Sequence, residues 1–319
     1  MTFKPLVTSL AILLALGIAL ALITDAVAAR REAAVEAAFP PLGVLLEVDG
    51  VKLHALTRGA GPNLVLIHGA SGNLRDMLPL IGLLAGQYRV TAFDRPGLGW
   101  SDPIPDGASL RAQALHLAKG AALLGITDPI VLGQSYGGSV ALAWALDAPL
   151  RPKALVLVSA PSLPWPGKLD PWYRLTDNWF GQNVVIPMVA AFVPESYINR
   201  AVMGIFAPDA APADYLTYIG AGLSIRRQSL RTNSDQVNAL RDQIVAQSAR
   251  YGELTLPIEL VHGDADTIVP LAIHSQPLSV LLPNAHLTVL KGTGHMPHHA
   301  QPQAVVDAIA RAAMRARLR

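Results

Sequence analysis

The chain has 319 residues, which suits one large α/β domain with an appendage better than two average domains. Its formal net charge of +2, with acidic and basic residues evenly mixed, excludes the strong positive field of a nucleic-acid-binding protein and favours a small-molecule partner. Hydrophobic residues make up 51% of the chain and charged residues 15%, which excludes disorder, and the absence of cysteine excludes disulfides, thiolate metal sites and a cysteine nucleophile.

The amino terminus carries a long uncharged apolar run. Between residues 6 and 23 it has no charged side chain, and as a helix it nearly crosses a hydrocarbon core of about 30 Å. We predict a single-pass membrane span at residues 6–23, within a signal-anchor segment at residues 1–29. A cleaved secretory signal is the alternative, because Lys4 precedes the run and residues 26–28 resemble a cleavage site. The run is longer than the apolar region of about 7–15 residues in such signals, which favours the anchor.

The charges around this run bear on the side of the membrane that the rest of the chain occupies. Lys4 and the α-amine favour an amino terminus inside the cell, whereas Arg30 and Arg31 favour the reverse. We expect a periplasmic or external globular domain, which is anchored by the span or secreted if the segment is cleaved. Residues 30–41 end in Phe-Pro-Pro and predict a short helical linker before a globular domain at residues 42–319.

The globular domain alternates short apolar, β-branched runs with helical segments. An antiparallel hairpin is predicted first, with strands at residues 44–48 and 51–56 joined by the turn dipeptide Asp49-Gly50. Further strands are predicted at 64–68, 89–93, 130–133, 154–159, 258–262 and 287–290, and helices at 75–85, 110–124, 138–146, 272–282 and 302–315. This alternation predicts an α/β fold with a mostly parallel central sheet flanked by helices.

The rhythm of strands stops between about residues 161 and 253. This segment is rich in aromatic residues among helix-like stretches, and so long an insertion in an α/β domain predicts a helical cap. Most of its aromatic side chains are expected to pack the core of the cap itself. A minority are expected to line a pocket beneath it.

A Gly-x-Ser-x-Gly motif stands at residues 133–137, between an apolar strand and a helical run. A serine in this context occupies a strained turn that exposes its hydroxyl at the positive end of the following helix. A chance Gly/Ser turn is the alternative, and the matching strand and helix argue against it. The motif therefore predicts Ser135 as a nucleophile.

A serine hydroxyl needs a base within hydrogen-bond reach and a carboxylate that orients the base. His295 stands in a glycine-containing loop between the last predicted strand and the last helix, where a base can approach the serine. Asp264 and Asp266 both follow the strand at 258–262; we choose Asp266 as the orienting acid and interpret Asp264 as a turn residue. The predicted catalytic triad is Ser135, Asp266 and His295.

Two further histidines, His298 and His299, closely follow the predicted base. Three imidazoles within five residues resemble a metal-binding cluster, but they lie in a Pro-containing loop without an evident carboxylate partner. We expect no metal and no other cofactor. Both histidines are expected to serve loop packing or to contact solvent.

Hydrogen-bond donors are needed for the negative charge that develops on a substrate oxygen. Two backbone N–H groups are expected to form this oxyanion hole, that of Tyr136 after the nucleophile and that of Ala70 in the Gly-rich loop after the strand at 64–68. Ser71 and Asn73 in the same loop are candidates for polar contacts with substrate. The loop lacks the Lys-Ser/Thr ending of a P-loop, so nucleotide binding is not expected.

Together these motifs resemble the α/β-hydrolase superfamily, in the large branch with a serine nucleophile. Five motifs of that branch occur in order, H-G at 68–69, D-R-P-G-x-G-x-S at 94–101, G-x-S-x-G at 133–137, H-G-D-x-D-x-x-V-P at 262–270 and G-H at 294–295. The resemblance implies the α/β-hydrolase fold over residues 64–302 and a structural role for the loop at 94–101. A serine in the elbow excludes soluble epoxide hydrolases and haloalkane dehalogenases, which use aspartate. One departure is Gln134, which stands where many members have histidine and leaves substrate preference open.

The resemblance also implies a reaction. Ser135 is acylated with His295 as base, Ala70 and Tyr136 hold the oxyanion, and water completes hydrolysis. We expect a carboxylic ester or related acyl substrate, and the apolar cap and the anchor suggest an apolar one. Similar scaffolds also support carbon–carbon bond hydrolysis, aminopeptidase action and cofactor-free haloperoxidase chemistry. A non-catalytic binding protein is the alternative of another class, and the presence of both nucleophile and base argues against it.

Overall fold

Eight strands form one sheet at the centre of the molecule, in a computed structural model that describes residues 3–318 and the side chains of residues 7–318. In chain order they are β1 Val44–Val48, β2 Val51–Arg58, β3 Asn63–Ile67, β4 Arg89–Phe93, β5 Ile130–Gln134, β6 Ala154–Val158, β7 Ile258–Gly263 and β8 Ala285–Leu290. Their order across the sheet is β1-β2-β4-β3-β5-β6-β7-β8. β1 pairs antiparallel with β2 and β2 with β4, whereas the pairs from β4 to β8 are parallel. The predicted hairpin and mostly parallel sheet are confirmed.

Helices cover both faces of the sheet. In chain order they are α1 Phe3–Ala38, α2 Leu78–Leu84, α3 Leu110–Leu123, α4 Tyr136–Asp147, α5 Pro171–Thr176, α6 Ile186–Phe192, α7 Glu195–Gly204, α8 Tyr215–Ile219, α9 Ala221–Ser224, α10 Arg227–Ser248, α11 Ser275–Leu281, α12 Pro297–Ala300 and α13 Pro302–Arg315.

Alternating strand residues divide the core into two layers, because successive side chains of a strand point to opposite faces. In β3, Val65 and Ile67 pack in the layer with α3 and α4, whereas Leu64 and Leu66 pack in the layer with α2 and α13. All four side chains are fully buried, as expected for a parallel strand that is covered on both faces.

The predicted helix at 75–85 is wrong as a single element. The structure has a 3₁₀ turn at Leu74–Met77 followed by α2. Pro79 lies in the first turn of α2, where its missing N–H costs nothing, and the same proline would remove a hydrogen bond from the interior of a longer helix.

The segment between β6 and β7 holds helices α5 to α10 and no strand. The cap predicted at 161–253 lies within it. Its longest helix, α10, contributes Val237, Leu240 and Ile244 to the core layer that contains α3 and α4. The cap is thus packed into the body of the domain through α10.

The amino-terminal helix α1 is 36 residues long and passes unbroken through the predicted boundary between residues 29 and 30. From Val7 onward it is long and apolar enough to cross a membrane, with a window of mean hydropathy 2.5 that is 6% buried; signal sequences have the same character. The distal half of α1 packs on the cap, where Ala28 is fully buried against Ile186 and Ala190 of α6.

Candidate active site

Ser135 forms the turn between β5 and α4 by itself, because β5 ends at Gln134 and α4 begins at Tyr136. Its φ of 49° lies in the left-handed region, which non-glycine residues adopt mainly where the surroundings enforce it. A Cβ on Gly133 would lie 2.2 Å from the Gly137 carbonyl oxygen, and one on Gly137 would lie 2.4 Å from that of Ile67. The turn therefore closes only with glycine at both positions.

His295 lies in the loop after β8, and its imidazole connects the serine to a carboxylate. Nε2 is 2.9 Å from Ser135 Oγ, and Nδ1 is 2.8 Å from Asp266 Oδ2. The other carboxylate oxygen, Oδ1, accepts hydrogen bonds from the N–H groups of Ile268 and Val269, both at 2.9 Å. The structure thus brings the three residues of the predicted triad together, with the carboxylate fixed by its own loop.

The surroundings of Asp266 keep its carboxyl group ionised. Burial favours the neutral acid, but hydrogen bonds from His262, His295 and the Val269 N–H outweigh it and hold the pKa of Asp266 below its ordinary value. A carboxylate only accepts hydrogen bonds, so His295 Nδ1 carries the proton of that contact. The Nε2 lone pair then faces the Ser135 hydroxyl.

Asp264, the second carboxylate after β7, has a different position. Its Oδ1 accepts a 2.6 Å hydrogen bond from the Gly292 N–H, in the loop that begins after β8. It therefore holds two loops together, in keeping with the predicted turn role.

The predicted oxyanion-hole residues flank Ser135. Tyr136 is the first residue of α4, so its N–H has no acceptor within the helix. A Cβ on Gly69 would lie 3.1 Å from Ser135 Cβ and 2.4 Å from Gln134 Oε1, which places Gly69, the residue before Ala70, directly beside Ser135.

The side chain of Asn73 serves the loop itself. Asn73 is 2% exposed; its Oδ1 accepts from the Arg75 N–H and its Nδ2 donates to the Ile219 carbonyl. Asn73 is therefore wrong as a candidate for contact with substrate. The Ser71 N–H donates to Asn233 Oδ1 of α10 at 2.6 Å, so the cap also holds this loop.

A second cluster of titratable groups includes two histidines of the segment that follows His295. His298 Nε2 is 3.0 Å from Asp76 Oδ2, and His299 Nε2 is 2.8 Å from Asp76 Oδ1, which also accepts from the Tyr215 hydroxyl of the cap. Asp76 supplies the carboxylate partner that was not evident from sequence, and the three residues could hold a metal by type and distance. The Nε2 atom of each imidazole, however, already faces its own carboxylate oxygen at hydrogen-bond distance, so a hydrogen-bonded network accounts for the position of these two nitrogens.

The electrostatics of this network favour an ionised Asp76. Burial raises its pKa, but the two histidines outweigh burial and hold it well below its usual range. The network joins the turn after the Ala70 loop, the loop that carries His295 and the cap. The expectation that His298 and His299 serve loop packing or contact solvent therefore missed this link.

The triad is almost enclosed beneath the cap. Ser135 is 9% exposed, His295 6% and Asp266 5%. Met296, next to His295, packs with Phe206, Tyr215 and Ile219 of the cap. A cavity of about 410 Å³ lies elsewhere, between the distal half of α1 and the cap.

Sequence analysis did not identify three residues near the triad as site residues. Gln134 donates through Nε2 to the His295 carbonyl at 3.3 Å, Asp76 forms the network described above, and Arg95 donates to two carbonyl groups of the loop before Ala70. Their motifs were visible, but a single sequence contains no signal that pairs residues so far apart.

Comparison with known proteins identifies relatives over most of the chain. A family model described as the alpha/beta hydrolase family matches residues 64–308. A pimeloyl-[acyl-carrier protein] methyl ester esterase of Aeromonas hydrophila is 28% identical over 272 residues, which cover 79% of this chain and 95% of that protein. A 2-hydroxy-6-oxononadienedioate/2-hydroxy-6-oxononatrienedioate hydrolase of Cupriavidus pinatubonensis is 27% identical over 264 residues, 76% of this chain and 84% of that protein.

A solved structure extends the similarity to almost the whole chain. The crystal structure of a bacterial membrane phospholipase A superimposes with a TM-score of 0.64 and 21% identity, covering 97% of this chain and 99% of that one. At this identity the likeness shows a shared fold.

Proposed function

The chain belongs to the alpha/beta hydrolase family, and from this membership we propose that it is a serine hydrolase that cleaves a carboxylic ester or a related acyl substrate through an acyl-enzyme. The observation that carries the proposal is the line of hydrogen bonds from Asp266 through His295 to Ser135, with distances of 2.8 and 2.9 Å. Such a line supplies a nucleophile, a general base and an orienting carboxylate within one enclosed site.

The proposed reaction follows from this geometry. Ser135 Oγ attacks the acyl carbon while His295 Nε2 takes the hydroxyl proton, and the N–H groups of Ala70 and Tyr136 bind the oxygen that becomes negative. The protonated His295 then gives its proton to the leaving alcohol, and an ester bond to Ser135 remains. Water, deprotonated by His295, attacks this ester, and the carboxylic acid leaves with the serine restored.

We further propose that the substrate carries an apolar acyl group and that the protein binds it at a membrane. The support is the apolar cluster of the cap against Met296, next to the base, together with the apolar length of α1. In this proposal residues 1–29 contain the membrane anchor, and residues 30–41 connect it to the domain, with residues 30–38 forming the end of α1 packed on the cap. Residues 42–319 form the hydrolase domain with its cap at about 161–253. The hydrolase domain then lies on the periplasmic or external side.

Covalent labelling tests the nucleophile. Full-length protein in detergent is treated with a fluorophosphonate probe, and wild type is compared with Ser135→Ala and Ser159→Ala. Ser159 is a matched control, since it also follows a central strand with a positive φ of 47° while its buried hydroxyl has no hydrogen-bond partner within residues 7–318. We expect labelling of wild type and Ser159→Ala only. Folded wild type that does not react, or labelling that survives Ser135→Ala, would contradict the proposal.

A substrate panel then defines the acyl group. Hydrolysis of p-nitrophenyl esters from acetate to palmitate is measured beside that of a vinylogous 1,5-diketone. We expect ester turnover with an optimum at medium or long chains. Turnover of the diketone alone would replace the ester proposal with carbon–carbon bond hydrolysis, and activity on acetate alone would contradict the apolar substrate.

A further inference from the structure

Arg95 is a fully buried cation beside the Gly69–Ala70 peptide. Its Nε donates to the His68 carbonyl at 3.1 Å and its Nη2 to the Gly69 carbonyl at 3.0 Å, while Nη1 donates to the side-chain oxygens of Gln113 and Gln236 at 2.9 and 2.5 Å. None of these four acceptors is a carboxylate. Burial lowers the pKa of Arg95 to about 10, so the guanidinium is still charged at neutral pH.

A buried charge without a carboxylate partner is costly for the fold. Such a cost points to a functional role for the charge. The charge is directed at backbone carbonyl groups, and its guanidinium also lies over the Tyr136 ring, 4.2 Å from the centroid.

His68 adds a second donor to the same carbonyl. The Arg95 N–H donates to His68 Nε2 at 2.9 Å, so the proton of this neutral ring lies on Nδ1, which is 2.9 Å from the Gly69 oxygen. The Gly69 oxygen thus accepts two hydrogen bonds, one from the imidazole and one from the guanidinium.

The N–H group at the other end of this peptide unit is that of Ala70. A carbonyl that accepts two hydrogen bonds, one of them from a cation, draws electron density away from its own amide nitrogen, so the N–H becomes a stronger donor. The two bonds also fix the peptide plane and with it the direction of the N–H.

We propose that Arg95 is the residue that positions and polarises the oxyanion hole, by holding the Gly69–Ala70 peptide through its carbonyl oxygen. The inference rests on the proposed serine hydrolase function. Arg95 does not touch the substrate; it acts through the Ala70 N–H, and its effect belongs to the transition state, in which the oxyanion carries most charge.

The cap takes part in this arrangement through Gln236. Its Oε1 accepts from Arg95, and its Nε2 donates to the Pro96 carbonyl at 3.0 Å. Gln236 belongs to α10, so the seating of α10 helps to hold the guanidinium against the loop.

Kinetics of matched variants test the proposal. Arg95→Met removes the positive charge, and Arg95→Lys keeps a charge that cannot reach all four acceptors. Gln236→Glu leaves the guanidinium in place and gives it a carboxylate partner that compensates its charge. Arg75→Met is the control, because Arg75 is also largely buried and donates to backbone carbonyls, those of Pro40 and Tyr218. Thermal unfolding of each variant establishes that it is folded.

We expect kcat for ester hydrolysis to fall about ten- to hundredfold in Arg95→Met, less than the loss of a direct oxyanion donor, with KM nearly unchanged. The kcat values of Arg95→Lys and Gln236→Glu should lie between those of Arg95→Met and wild type. The kcat of Arg75→Met should match that of wild type. A folded Arg95→Met with wild-type kcat, or a loss carried by KM alone, would overturn the proposal.

A spectroscopic measurement separates this inference from the proposed function. Labelling with carbonyl-¹³C glycine and ¹⁵N alanine selects the five Gly–Ala peptide units of the chain, and Ala70→Ser assigns the relevant signal. Loss of polarisation in Arg95→Met should move the Ala70 nitrogen to lower chemical shift. An unchanged signal would refute the role of Arg95, whereas a shifted signal in a protein that fails to react with fluorophosphonate would refute the hydrolase proposal alone.

Discussion

Asp264 and Asp266 make different contacts although they are separated by one residue, because the turn after β7 directs their side chains to different partners. Asp264 accepts from the Gly292 N–H, whereas Asp266 receives two backbone N–H bonds and holds His295 Nδ1. Only the second contact selects the imidazole tautomer that can act as a base toward Ser135.

Asparagine at each position distinguishes the two roles. Asp266→Asn keeps the size of the side chain but removes the charge that stabilises protonated His295, so kcat should fall by about 10⁴. Asp264→Asn retains an acceptor for the Gly292 N–H and should leave kcat near the wild-type value. Steady-state kinetics on one ester measure both variants, and equal losses would refute the assignment of Asp266 as the orienting acid.

At the scale of elements, the contact between α1 and the cap is held by charges as well as by apolar packing. Arg227, the first residue of α10, pairs with Glu32 at 2.7 Å and also with Asp25, and Arg226 pairs with Glu36 at 2.8 Å. Arg31 of α1 donates to the carbonyls of Ala191 and Val193, both at 2.9 Å. The distal half of α1 is therefore part of the folded domain.

Charge reversal measures this contact. Arg227 and Glu32 are each 20% exposed, so Arg227→Glu should lower the free energy of unfolding by about 1–3 kcal/mol, between the values for exposed and buried pairs. Adding Glu32→Arg should recover most of the loss in chemical denaturation. Lys153→Glu, in a more exposed pair with Asp128, is the control and should cost about 1 kcal/mol or less. Absence of recovery in the double variant would argue against a direct pair.

At the scale of the whole molecule, the packing of α1 predicts that the amino-terminal segment is not cleaved. Cleavage after Ala28 would cut α1 inside the segment that packs on the cap, and would remove Asp25 and the buried Thr24 from it. Membranes from expressing cells should therefore retain full-length protein after an alkaline wash, and its intact mass should include residues 3–28. A soluble product that begins near residue 29 would establish the secretory signal instead.

The buried histidines predict how stability depends on pH. Burial lowers the pKa of His68 and of His274 to about 4, below the value of about 6.5 expected in the unfolded chain. Between these values the unfolded chain binds more protons, so stability is fully present above about pH 6.5 and falls as the pH drops toward 4, by about 1.4 kcal/mol per pH unit for each histidine. Chemical denaturation across this range should show the slope.

Variants assign this pH dependence. His274→Gln keeps an acceptor for the N–H groups of Ser162 and Leu163 and should remove one histidine's share of the slope. A slope that does not respond to His274→Gln would show that this ring titrates alike in both states.

The sequence by itself determined the features that depend on near neighbours. Short apolar, β-branched runs determined the strands, and the glycines at 133 and 137 with the serine between them determined the elbow, because turn conformation and strand burial are decided within a few residues. The alternation of strands and helices along the chain predicted the mostly parallel sheet. Even here the break before α2 was missed, since its 3₁₀ turn depends on Asn73, whose side chain is held by the cap.

Only the tertiary structure decided which distant residues meet. Asp76 and His298 are 222 positions apart, and Arg95 reaches the Gly69 carbonyl and Gln236 of α10 at once. The packing of α1 on the cap is of the same kind. Such pairs arise when packed layers bring loop ends together, and their geometry depends on the summed burial of the whole domain, which no local pattern of residues contains.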